Sequence, residues 1–387
     1  MNPHALLQDE AQIRTVESIK RLSDDGKLYY MESVWDYSEI PAAFKPLFGA
    51  GCSTFLTKDL EGTNLFCRNY DYLHRKGNDK NAPRTGLNVV VRCSNPSAKY
   101  KSIGVSDATW LDWKNLSLVE GSADDGVTDL SAFVMLPYLC MDGVNEKGLA
   151  VSIMALTLPA SWEEIDYDSY AEKVPSDQDP IVLKGACTVP QEWQRRAKHL
   201  SVAVNHEDRR AWVAHLPFFR TEMEGKKTSL LHPILMRMML DSCANVDEAV
   251  ALAGMFNVHT IGPGQDYHIM VADSSGQARL LEWVDNEMKV IDTKHATNYR
   301  RSADDLFHGV CPRDELIKAF FLRCRKDDEF TGMREDLIMS LMDLIKQDPD
   351  NGHDTVTTQY SCVYDLDHLK VKVYSFGDFS RHWDFEL

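Results

Sequence analysis

The reading turns on Gly49-Ala50-Gly51-Cys52-Ser53-Thr54-Phe55-Leu56-Thr57 and, after Asp59-Leu60-Glu61-Gly62, on Asn64-Leu65-Phe66-Cys67-Arg68-Asn69-Tyr70-Asp71-Tyr72. Small residues break the chain immediately before Cys52. Both runs have strand character and the Asp/Gly cluster between them supplies a turn, so the spacing predicts a hairpin over Cys52 to Asn69. Arg68 and Asp71 then return beside Cys52, a cation and a carboxylate near one thiol.

A thiolate attacks an amide carbonyl well when a base removes its proton and donors hold the oxyanion. A cysteine at a chain terminus carries its own base, because a free α-amine titrates at roughly 7.7 to 8.0. Cys52 fits that role if the bond after Gly51 breaks, and glycine gives the unhindered backbone this needs. Arg68 can stabilise the thiolate, and Asp71 can accept from the α-ammonium. Taken singly, Cys52 reads as a buried strand cysteine and the Arg68–Asp71 pair as an ordinary edge ion pair of little energetic value.

Outward from this hairpin, further strands are expected over Asn88 to Arg92 and over Leu149 to Met154, the second entered through turns at Asp142-Gly143 and Lys147-Gly148. Hairpins are also expected at Tyr267 to Val284 and at Ser361 to Phe376, with a strand over Lys289 to Asp292. Helical spacing occurs over Pro3 to Leu22, Leu230 to Leu240, Val246 to Ala253 behind an Asn245 cap, Asp314 to Arg325 and Glu335 to Lys346, with a short helical piece at Pro41 to Phe48. Hairpins with helical pairs between them predict a layered α+β domain. Ala160 to Lys227 is acidic and proline-punctuated, and reads as an insertion with limited structure of its own.

The 387 residues carry 42 Lys+Arg against 59 Asp+Glu, a formal charge of -17 that repels phosphate backbones and anionic membrane surfaces. Nucleic acid and membrane are not expected partners, no apolar run reaches the roughly 20 residues a span needs, and the start lacks a signal peptide. The expected compartment is the cytoplasm, and a homo-oligomer is the expected assembly. Nine cysteines are scattered without any CxxC pair, which argues against a disulfide framework or a structural zinc site.

Cys52-Ser53-Thr54-Phe55 through Arg68-Asn69-Tyr70-Asp71, with Asp142-Gly143-Val144-Asn145-Glu146-Lys147-Gly148-Leu149, resembles the choloylglycine hydrolase and penicillin V acylase family of linear amide hydrolases, related to the acid ceramidase and isopenicillin N acyltransferase groups. Ala296-Thr297-Asn298, the hairpin holding His268, and Thr358-Gln359-Tyr360-Ser361-Cys362 follow the family's order. The resemblance implies a four-layer αββα sandwich of two antiparallel sheets. It implies Cys52 as nucleophile, Arg68 and Asp71 beside it, Asn298 as oxyanion donor and Arg313 as a late arginine, with neither metal nor organic cofactor. It also implies removal of residues 1–51 as a propeptide, leaving 52–387 as the catalytic domain with 160–227 as an atypical insertion.

The substrate class this implies is an N-acyl amino acid or N-acyl amine, with pocket walls near Tyr72, Trp110 to Trp113 and the insertion. Two departures stand out. Ala150-Val151-Ser152-Ile153-Met154-Ala155 lacks the second oxyanion asparagine or tyrosine of the family, leaving a backbone N–H near Met154 or Ala155 as a substitute, and Arg313 is only an approximate counterpart. His268 is expected to be structural. The competing readings are an acyltransferase using the same thiol, a Cys-His hydrolase, and a binding protein that keeps the fold without freeing Cys52.

Overall fold

The computed structural model describes residues 7, 9–37, 51–73, 86–108, 130–156, 228–259, 266–284, 287–302, 311–326, 329–347 and 356–387. The 160–227 insertion, the Pro41 to Phe48 helix and the Trp110 to Trp113 wall lie outside these. In chain order the elements begin with α1 (Glu10–Glu17), β1 (Lys20–Arg21), β2 (Leu28–Ser33), β3 (Gly51–Lys58), β4 (Asn64–Leu73), β5 (Asn88–Cys93) and β6 (Ser102–Asp107). A 3-10 segment, Leu130–Leu139, leads into β7 (Cys140–Asn145), β8 (Ala150–Leu156), β9 (Thr228–Leu231), α2 (His232–Ser242) and α3 (Val246–Ala253). Then come β10 (Phe256–His259), β11 (Asp266–Ala272), β12 (Ala278–Val284), β13 (Glu287–Asp292), β14 (His295–Ala296) and α4 (Pro312–Arg323). The chain ends with β15 (Arg325–Lys326), β16 (Glu329–Phe330), α5 (Glu335–Leu344), β17 (Val356–Asp365), β18 (Lys370–Ser375) and β19 (Trp383–Glu386).

Two large sheets result, a nine-stranded one in the order β1-β2-β5-β6-β7-β8-β11-β12-β13 and a six-stranded one in the order β14-β3-β4-β17-β18-β19. The β2–β5 pair is parallel and the other pairs of these two sheets are antiparallel. Period-two alternation sorts the six-stranded sheet into two faces. Cys52, Leu56, Phe66, Tyr70, Tyr360 and Tyr364 share one core with the nine-stranded sheet, whose residues also pack with α2 and α3. Phe55 and Cys67 join a second core with Ile317 and Phe320 of α4 and Ile338, Leu341 and Met342 of α5. The order of layers is therefore helix, sheet, sheet, helix, the αββα sandwich expected.

The central hairpin forms as the sequence implies: Cys52 pairs with Tyr70 and Thr54 with Arg68. Asp59 Oδ1 accepts from the Glu61 and Thr63 amides, and Gly62 takes a φ of 93° that side chains disfavour. The Asn245 cap on α3 is also present, its side chain accepting from the Glu248 amide.

Three local expectations need correction. The helix expected over Pro3 to Leu22 is described only as α1, which ends at Glu17, because the Ser18 hydroxyl turns to Thr15 O and the Lys20–Arg21 backbone pairs with Tyr29 and Tyr30. Gly26, at φ 68°, lies in the turn between β1 and β2. Asp142-Gly143 is no turn; both residues lie inside β7, where a Cβ on Gly143 would sit 2.8 Å from Ile103 O and 3.1 Å from Leu240 Cδ1. That glycine permits close packing, and the turn itself uses Gly148 at φ 76°. Leu230 and Leu231 belong to β9, so α2 begins at His232.

The strand β2 was not foreseen, and it places part of the 1–51 segment inside the nine-stranded sheet. Leu28, Met31 and Ser33 are buried on it, followed by buried Trp35 and Tyr37. Trp35 Nε1 donates to Val134 O at 3.0 Å. Leu28→Ala should therefore cost about 2 to 5 kcal/mol in denaturant unfolding of the full chain, the usual range for a buried leucine. A loss below roughly 0.5 kcal/mol, the size of a surface effect, would mean that β2 contributes nothing to the core.

Candidate active site

Cys52 is the second paired residue of β3, at the end where Asp71 and Asn298 flank it. On one side Gly51 pairs with Asp71. On the other, β14 pairs His295 with Phe55 and Ala296 with Thr54, so two more residues bring Asn298 level with Cys52. The Cys52 main-chain N–H donates to Asn298 Oδ1 at 2.6 Å. The thiol is 1% exposed and points into the inter-sheet core.

Arg68 shares that face, two pleats along β4. Its Nη2 donates to Cys52 Sγ at 3.0 Å and to Ile153 O of the facing sheet at 2.6 Å, while Nε donates to Asp142 Oδ2 at 3.3 Å. Nη1 is buried and has no partner among the described residues. Burial pushes the Cys52 thiol up from its ordinary range, and the Arg68 charge draws it back down.

The guanidinium is balanced by Asp142, the aspartate of the Asp142 to Leu149 motif. Tyr360 Oη donates to Asp142 Oδ2 at 2.6 Å, and Tyr364 Oη donates to Oδ1. Burial pushes the Asp142 carboxyl upward, opposed by Arg68 and by both tyrosines.

A second buried pair closes the site from the helical side. Arg313, in the first turn of α4, donates through Nη1 to Asp71 Oδ2 at 2.8 Å and through Nη2 to Asn298 Oδ1. A cation near a helix N-terminus opposes the helix dipole, and Asp71 offsets it. Thr358 Oγ1 donates to Asp71 Oδ1 at 2.5 Å. It reaches there because β17 is irregular at Gln359: Thr358 pairs with Asp71 and Tyr360 with Tyr70, so Thr358 turns to Asp71 while Tyr360 points inward to Asp142. Burial pushes the Asp71 carboxyl up to about 6 against the pull of Arg313 and Thr358.

Asn298 is clamped through its neighbours as well. Its Nδ2 donates to Ala155 O at 2.6 Å. His268, fully buried, places Nε2 2.8 Å from Thr297 O and Nδ1 3.1 Å from Glu282 Oε1. Glu282 also accepts from the Arg301 and Ser302 amides at 2.9 and 2.8 Å, and hydrogen bonds from His268 and Ser302 bring its carboxyl to about 2 despite burial. Asp314 ties the same loop to α4 through Tyr299 at 3.0 Å and Arg301 at 2.5 Å.

All five residues singled out in the sequence, Cys52, Arg68, Asp71, Asn298 and Arg313, thus meet in one place. Their pairings differ in part from those expected: the Asp71 carboxylate is taken by Arg313 and Thr358, and it is Asn298 that accepts from the Cys52 nitrogen. Tyr72 is buried against Tyr70, with ring centroids 6.2 Å apart. Cys67 lies on the opposite face of β4, in the second core. Asp142, Thr358, Glu282 and Asp314 were missed as site-building residues. The first two stood inside quoted motifs, whereas Glu282 and Asp314 carry no signal until the chain has folded.

Two outcomes follow from this geometry. Asp142→Asn should cost about 3 to 5 kcal/mol because it leaves a buried cation uncompensated, and Tyr364→Phe only about 1 kcal/mol; equal losses in chemical denaturation would mean that Asp142 does not balance Arg68. For Asp71 the raised folded pKa means that the native state binds more protons than the unfolded one between about 4 and about 6. The carboxyl's contribution is therefore favourable below that window and is lost as pH rises through it. Relative to Asp71→Asn, the wild type should lose stability from pH 4 to 6, and a flat difference would show that Asp71 titrates normally.

No protein-family profile matches the chain, and no curated protein matches it in sequence. Among solved structures it is similar to a mutant of conjugated bile acid hydrolase from Clostridium perfringens, at 12% identity and TM-score 0.47, covering 87% of this chain and 92% of that one. It is also similar to penicillin V acylase from Agrobacterium tumefaciens, at 15% identity and TM-score 0.41, covering 84% and 83%. A Caenorhabditis elegans N-acylethanolamine-hydrolyzing acid amidase ortholog shows 13% identity and TM-score 0.39 over 81% and 93%.

Proposed function

We propose that this chain is a cysteine amidase of the N-terminal nucleophile type that cleaves itself between Gly51 and Cys52 and then hydrolyses the linear amide bond of an N-acyl amino acid or N-acyl amine. The observation that carries the reading is the environment of Cys52: its sulfur accepts from Arg68 Nη2 at 3.0 Å while its nitrogen faces Asn298 Oδ1 at 2.6 Å. A guanidinium on the sulfur favours its thiolate, and an acceptor at the nitrogen is placed to orient an α-amine once the preceding bond is broken.

In the first step the thiolate adds to the Gly51 carbonyl carbon, the C–N bond breaks with a proton passing to the Cys52 nitrogen, and water hydrolyses the thioester to free the Gly51 carboxylate. The nitrogen is then an α-amine, and Asn298 Oδ1 orients it toward the sulfur. In the amidase step the amine takes the thiol proton, sulfur adds to the substrate carbonyl, and the same proton goes to the leaving amine as the C–N bond breaks. Water releases the acyl group as its acid. Arg68 holds the sulfur throughout, and the Asn298 Nδ2 hydrogen not given to Ala155 O donates to the developing oxyanion together with a backbone N–H near Met154 or Ala155.

Because β2 lies within the nine-stranded sheet, the 1–51 piece stays attached by non-covalent contacts after scission. Intact mass spectrometry of purified protein should show the mass of residues 52–387, with the N-terminal piece eluting alongside it in native size-exclusion chromatography and parting only in denaturant. Cys52→Ala should leave the chain whole and inactive toward a panel of acyl amides, and Cys67→Ala should cleave and turn over normally. A wild-type chain that keeps its full mass while hydrolysing amides would sink the mechanism.

Asn298→Ala should lower kcat by roughly a hundredfold, the usual effect of losing one preorganised polar partner of the reacting groups. Its KM should change little. A raised KM with unchanged kcat would make Asn298 a substrate-binding residue instead.

A further inference from the structure

We propose that the cavity on the helical side of β3 is a second binding site, for an amphipathic carboxylate that carries a hydrogen-bond donor beside its head group. The cavity measures about 580 Å³ and is lined by the central hairpin, Lys294 and His295 at the start of β14, α4, and the β15–β16 hairpin. None of Cys52, Arg68, Asp71, Asn298 or Arg313 lines it. Leu56 lies four residues from Cys52 along an extended strand, about 13 Å away.

Its charge runs against that of the molecule. In a chain of net charge -17, four lining residues are Lys or Arg and none of the described ones is Asp or Glu. Lys318 is satisfied by Asp314 at 2.7 Å and Glu315 at 2.9 Å. Lys294 donates to Gly276 O at 3.1 Å, and neither it nor Lys58 forms an ion pair among the described residues. The nearby Asp292 is bound by Arg279 at 3.3 Å. Burial and the Lys58 charge push the Lys294 ammonium below its ordinary range, and the Asp292 charge offsets them only in part.

Leu56, Phe321, Leu322 and Phe330 make the lining apolar in part. Phe321 packs on Phe330 at a centroid distance of 5.3 Å, and Leu322 is 65% exposed at the rim. A lining that combines cations with aromatic rings suits a ligand with an anionic head and a hydrocarbon body. Asn64 adds the third requirement. Its Nδ2 donates to Ser274 O at 2.8 Å and to Asp367 Oδ2 at 3.3 Å, and its main-chain N–H donates to Asp367 Oδ2 at 2.8 Å, but its buried Oδ1 accepts from nothing among the described residues. A buried acceptor without a donor is costly, so a ligand that brings an O–H or N–H next to its carboxylate gains most.

The test is calorimetric titration of the full chain with 2-hydroxyoctanoate, its methyl ester and inorganic phosphate. It reads binding alone and is independent of whether Cys52 cleaves amides. The hydroxy acid should bind saturably, with the ester and phosphate each roughly tenfold weaker or worse. Lys58→Gln combined with Lys294→Gln should weaken the hydroxy acid by a similar factor, and so should Phe330→Ser, with melting temperatures confirming that the variants fold. No binding of the hydroxy acid overturns the proposal, as does equal affinity for the ester, equal affinity for phosphate, or unchanged affinity in either folded variant.

Discussion

A guanidinium buried between two sheets is an expensive object, and much of the centre of this protein is arranged around one. Arg68 is fully buried, and removing such a charge from water costs several kcal/mol unless its donors are met and its charge is balanced. Asp142 supplies the balancing charge from the facing sheet, Ile153 O takes a second donor, and Cys52 Sγ takes part of a third. Asp142 is itself buried and needs the hydroxyls of Tyr360 and Tyr364. The chain of obligation runs from one cation through a carboxylate to two tyrosines, and it spans both sheets, so the thiol is positioned by the same contacts that register the layers.

The Arg313–Asp71 pair repeats this logic on the helical side. There a cation at the start of α4 meets a carboxylate at the edge of β4, and Asn298 lies between the cation and the Cys52 nitrogen. Sulfur and nitrogen of one residue are therefore governed by two separate buried cations, one in each inter-layer space. His268 and Glu282 below the loop, and Asp314 above it, fix Asn298 without touching Cys52. Such supporting groups are what keep a polar partner within a few tenths of an ångström of where it is needed.

Hairpins were legible because alternation and turn residues are local. Cys52 and Arg68 fall on one face and Cys67 on the other by period two alone, once the turn at Asp59 to Thr63 sets the register. Local pattern misleads where a residue's reason is a distant neighbour. Gly143 looks like a turn glycine and is in fact the floor under Leu240, and Lys20–Arg21 extends a helical pattern yet pairs as a strand because Tyr29 and Tyr30 are there to receive it. The strand β2 carried too little alternation to be seen, and its parallel partner β5 lies more than fifty residues on.

By itself the sequence determined the α+β character, the central hairpin, the singling out of Cys52 among nine cysteines and the four residues that surround it, because each of these rests on local pattern or on a motif. Only the tertiary structure decided which cation serves which acceptor, that Asn298 and not Asp71 accepts from the Cys52 nitrogen, and that residues 28–33 belong to the core. It alone gathered Lys58, Lys294, Lys318 and Arg325 around one cavity. The reason is physical: hydrogen-bond partners and burial are settled by distances of a few ångströms between residues far apart in the chain, and those distances exist only once the layers have packed.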